Sequence, residues 1–166
     1  MTPNYERAFE ARPDVYAAWQ GLLGAVKANM DLRRYELATL AAAQRLRSSY
    51  CSLAHGKVLI EQFDEPVLQI ATDRSSSGLD DVDLAVMDLA ERVVEDATAI
   101  GDDDLQRLRD LGLTDPEIMD VILTAALRSF WTKTLDALGV QPDASYNKLE
   151  PELREVLVVG RPIAAA

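Results

Sequence analysis

Between Glu36 and Gly56 the chain reads ELATLAAAQRLRSSYCSLAHG, and no other stretch restricts its fold so much. The first half is a small, apolar AxLAAAxxL face from Ala38 to Leu46, on which other helices can pack closely. The basic RLR run at Arg45–Arg47 suits a helix end, where cations complement the dipole. Ser48 and Ser49 follow at once, and serine is a strong N-cap residue. A new helix is therefore predicted from Tyr50 to about Phe63.

The rest of the chain carries the same punctuation. Residues 1–12 read as an arm whose Tyr5 and Phe9 pack on the body. Arg12-Pro13-Asp14 opens a helix with proline in its first turn. Tyr16, Trp19, Leu22, Leu23 and Val26 recur at helical spacing and are expected to face the core, with the helix ending at Asn29 or Met30. Asp31 caps the helix that contains Glu36. Residues 64–80, with Pro66 and the Ser75-Ser76-Ser77-Gly78 cluster, are expected to be a connection holding at most a short helical turn.

Asp80-Asp81 starts a helix whose apolar stripe includes Val82, Ala85, Met87, Leu89 and Val93. The Asp102-Asp103-Asp104 run suits a solvated helix start, and Gly112 closes the short helix that follows. Thr114-Asp115-Pro116-Glu117 is a capping box opening a long helix to Leu138, ended by Gly139. Phe130 and Trp131 on it read as core or subunit interface. No segment alternates with period two for long, so the fold class is all-α. Residues 1–142 form the domain, and 143–166 are a tail lying on the body or on a neighbouring subunit.

A chain of 166 residues, 48% apolar, suffices for one domain with a sizeable core. Its formal net charge of -11 disfavours nucleic acid and anionic membrane surfaces as partners. No apolar run approaches the length of a membrane span, and the first fourteen residues are polar, so a cytoplasmic location is expected. Dinucleotide, P-loop, HExxH and GxSxG motifs are absent, and no cofactor or metal is expected.

The chemistry gathers at the central stretch. Cys51 and His55 are the only cysteine and the only histidine, and their i, i+4 spacing puts them on one helix face. A cysteine in the first turn lies among unpaired N–H groups, which favour the thiolate. His55 can take its proton, and Glu36 can orient the imidazole. Ser48 either caps the helix or bonds the thiolate, and Tyr50 completes the candidate set. Two other readings remain open: a buried structural cysteine, and a zinc site formed by Cys51, His55 and Glu36.

With Glu36, Ser48, Cys51 and His55 falling in order on a Glu…CxxCxxxH pattern, the chain resembles the alkylhydroperoxidase D-like, or carboxymuconolactone decarboxylase, superfamily, in particular its peroxidase-related branch. The ELATLAAA and SSYCSLAHG segments agree, as does the later LRDLGLTDPEIMDVI, so the likeness runs from about Phe9 to about Pro142. It implies a compact bundle of about six to eight helices that assembles into homodimers or hexamers. It also implies a peroxidatic Cys51 with His55 and Glu36 as proton relay, acting on a small-molecule peroxide. Ser48 stands where redox-active members carry the resolving cysteine. With one cysteine in the chain no internal disulfide can form, so an external thiol must be the reductant. The alternatives are a non-redox lyase acting on a small lactone acid and a scaffold without catalysis.

Overall fold

The computed structural model describes residues 2–165. Its α-helices are α1 (Asn4–Ala8), α2 (Pro13–Lys27), α3 (Leu32–Arg45), α4 (Ser49–Phe63), α5 (Val67–Asp73), α6 (Asp81–Asp96), α7 (Asp102–Asp110), α8 (Asp115–Ala137) and α9 (Pro151–Leu157). There is no strand among the described residues. The helix starts follow the capping chemistry. Asp31, Ser48, Asp80 and Thr114 each accept a backbone N–H from the first turn of the helix that follows.

Helix α3 is the axis of the bundle. Every residue from Tyr35 to Ala43 is buried, and the helix packs against α4, α6 and α8. Its small alanines let three neighbours approach at once. Asp83 of α6 is buried against this packing and accepts from Arg33 Nη1 at 2.6 Å and Arg34 Nε at 3.3 Å, while Arg33 also pairs with Glu65.

The α3–α4 junction sets the geometry of the motif. Arg47 takes a left-handed conformation (φ 59°), the Arg47 N–H bonds Gln44 O at 3.0 Å, and Ser48 N–H bonds Ala43 O at 2.8 Å. These two bonds close a Schellman turn. The C-terminal tail crosses over it. Gly160 N–H donates to Ser49 Oγ at 2.8 Å, and a Cβ on Gly160 would lie 2.0 Å from Arg47 O, so only glycine fits. Leu157 of α9 is fully buried against Gly56 of α4 and Val67 of α5.

Two expectations need correction. Residues 64–80 are more than a connection: α5 buries Val67 and Ile70 at i, i+3 spacing, packing against α4 and α9. Leu22 does not face the core. It is 52% exposed because α2 contacts the body mainly through α8 and buries only Val26. Trp131, 5% exposed, belongs to the core, while the adjacent Phe130 is 45% exposed, since neighbouring helical positions point about 100° apart.

Candidate active site

Cys51 lies in the first turn of α4, and its N–H is capped by Ser48 Oγ at 3.5 Å. Of the two roles open to Ser48, the cap is therefore the one it has. The thiol is 1% exposed and contacts Thr132 Oγ1 of α8 at 3.6 Å. One turn along α4, His55 Nδ1 is hydrogen-bonded to Glu36 Oε2 of α3. Two of the expected site residues, Glu36 and His55, are thus in direct contact.

No hydrogen bond joins Cys51 to His55: the thiol turns to Thr132, while the imidazole turns to Glu36 and Arg128. Both side chains nevertheless line one cavity of about 420 Å³. That is within the roughly 300–1,000 Å³ usual for small-molecule pockets.

Helix α8 supplies what the sequence did not flag. Thr124, Arg128 and Thr132 are buried at i, i+4, i+8 spacing on its inner face. Arg128 Nη1 lies 3.2 Å from His55 Nε2, and Arg128 Nη2 donates to Tyr35 Oη at 2.7 Å. Arginine has only donors, so Nε2 is the acceptor and the proton of a neutral imidazole sits on Nδ1, donated to Glu36. Burial holds the His55 pKa below its ordinary value, and the Arg128 and Lys27 charges push the same way against the pull of Glu36. His55 is therefore neutral at pH 7 and carries a defined tautomer. A polar stripe inside the otherwise apolar TAALRSFWT segment was the readable signal for Arg128.

The walls of the cavity are aromatic. Trp19 and Trp131 stack with ring centroids 3.9 Å apart, and Tyr5 and Tyr16 pack on Trp131. Tyr50 meets Tyr5 and Tyr146 edge-on, and its hydroxyl donates to Asp143. Burial, then that hydrogen bond and the Asp143 charge, raise the Tyr50 pKa far above the phenol range. Burial first, with the Asp143 charge adding, pushes Tyr146 up to about 12. Tyr50 is thus a neutral wall residue tied to the start of the tail. No group of three His, Cys, Asp or Glu side chains able to hold a metal ion occurs among the described residues, so the zinc alternative finds no donor set there.

No protein-family model and no curated protein sequence matches the chain. Solved structures do. An uncharacterized peroxidase-related protein with an alkylhydroperoxidase AhpD core from Ralstonia eutropha superposes with a TM-score of 0.78 at 20% identity, over 97% of this chain and 84% of that one. An uncharacterized peroxidase-related protein from Silicibacter gives a TM-score of 0.81 at 18% identity, over 89% and 80%. A protein of unknown function from Agrobacterium tumefaciens, provisionally named there as an antioxidant defence protein AhpD, gives 0.65 at 20%, over 86% and 94%. At such identities the likeness establishes architecture alone: the chain has the same fold as these alkylhydroperoxidase AhpD-core and peroxidase-related proteins.

Proposed function

We propose that the chain is a thiol-dependent peroxidase in which Cys51 is the attacking sulfur and an external thiol is the reductant. The observation that carries this is that Cys51, in the first turn of α4, lines the same cavity as His55, whose Nδ1 is bonded to Glu36 behind it. The α4 N-terminal amides and the Thr132 hydroxyl are suited to hold a thiolate. The sulfur attacks the terminal oxygen of a hydroperoxide, the O–O bond breaks, and the alkoxide leaves. His55 Nε2 takes the thiol proton and returns it to that alkoxide, so thiol plus hydroperoxide becomes sulfenic acid plus alcohol. Two external thiols then reduce the sulfenic acid, giving back the Cys51 thiol, one disulfide and water.

Turnover of cumene hydroperoxide with excess dithiothreitol tests this. Wild type is expected to consume peroxide catalytically, and Cys51→Ser to fall to the uncatalysed rate. Equal rates in the two proteins would refute the reading. A lyase or scaffold role, neither of which needs the thiol, would then lead.

A further inference from the structure

Arg128 is only 3% exposed, yet among the described residues no carboxylate lies within ion-pair distance of it. The other buried charged side chains among the described residues are differently placed. Asp83 has two arginines, and Glu36 has His55 together with Lys27 Nζ at 3.8 Å. Arg128 has only neutral partners, His55 Nε2 and Tyr35 Oη, and its Nε is unpaired. The rings of Trp19 and Tyr35 lie 5.6 Å and 5.9 Å from its central carbon. Such cation–π contacts offset only part of the cost of burying an unpaired ion.

Arg128 and Lys27 are the ionised side chains lining the cavity. With His55 neutral, Glu36 beneath them supplies one negative charge, and Asp143 lies at the far end behind Tyr50. Lys27 pairs with Glu36, which leaves Arg128 as the lining cation without a carboxylate partner among the described residues. We infer that Arg128 is an anion anchor: the cavity takes a small organic carboxylate with a flat, unsaturated body, held by Arg128 at one end and by the Trp19–Trp131 wall along its face. Guanidinium and carboxylate match as a bidentate pair. Drawing Arg128 towards the ligand also frees His55 Nε2, the lone pair on which the proposed proton transfer depends. This inference rests on the same cavity being the active site, and it makes the preferred peroxide one that carries a carboxylate.

Binding of benzoate and of its neutral isostere benzamide, measured by titration calorimetry on Cys51→Ser, tests the anchor without any turnover. Benzoate is expected to bind at least ten-fold tighter than benzamide, and the preference to vanish in Arg128→Gln. Rising salt should weaken benzoate alone. If Arg128→Gln does not fold, Lys27→Gln, at a more exposed position, is expected to keep most of the preference, and the wild-type comparison still decides. Equal binding of the two probes, or none by either, would overturn the anchor. Because catalysis is not read, loss of peroxidase activity and loss of the anion site are separate results.

Discussion

Because His55 is the only histidine, its burial should dominate the pH dependence of stability just below neutrality. The folded-state pKa is depressed while the unfolded imidazole titrates near ~6.5. As pH falls through ~6.5 the unfolded chain gains a proton that the folded chain refuses, so stability decreases until the folded pKa is reached. The contribution is fully present above ~6.5 and lost on acidification. Its slope cannot exceed about 1.4 kcal/mol per pH unit for one proton. For a domain of this size that corresponds to at most roughly 3–6 °C in Tm per pH unit. The assay is thermal unfolding followed by circular dichroism from pH 7.5 to 5, in wild type and in His55→Asn, whose amide can still donate to Glu36. Wild type should lose stability relative to the variant as pH falls, and the difference should flatten at lower pH. Parallel curves would show that His55 is not held neutral by its surroundings, and the tautomer argument would fail with it.

The other expectations concern packing. Leu157→Ala removes a fully buried side chain lodged against Gly56 and Val67, and should cost about 2–5 kcal/mol in urea unfolding. An effect below 0.5 kcal/mol would mean that the tail contributes nothing to the core. Thr132→Val keeps the shape but removes the hydroxyl beside Cys51 Sγ, so iodoacetamide labelling of Cys51 should change in rate while Tm moves by less than about 1.5 kcal/mol equivalent. An unchanged labelling rate would show that the hydroxyl does not tune the thiol.

Much of the bundle was legible because its signals are local. The Asp31, Ser48, Asp80 and Thr114 caps and the Gly112 and Gly139 stops depend on neighbours within one turn, and all lie where the sequence places them. Leu22 and the α5 segment were misjudged because periodicity marks an apolar face without saying what covers it.

The sequence by itself determined an all-helical chain, a lone thiol in a helix first turn, and a histidine one turn on with Glu36 able to reach it. Only the tertiary structure decided where each of these points. Cys51 turns to Thr132 and His55 to Glu36 and Arg128, because α8 packs on α3 and brings its buried Arg128 and Thr132 to the site. Residue 128 is 73 positions from His55, so no spacing rule connects them. Contacts of that range are set by how helices pack, and that depends on the whole chain.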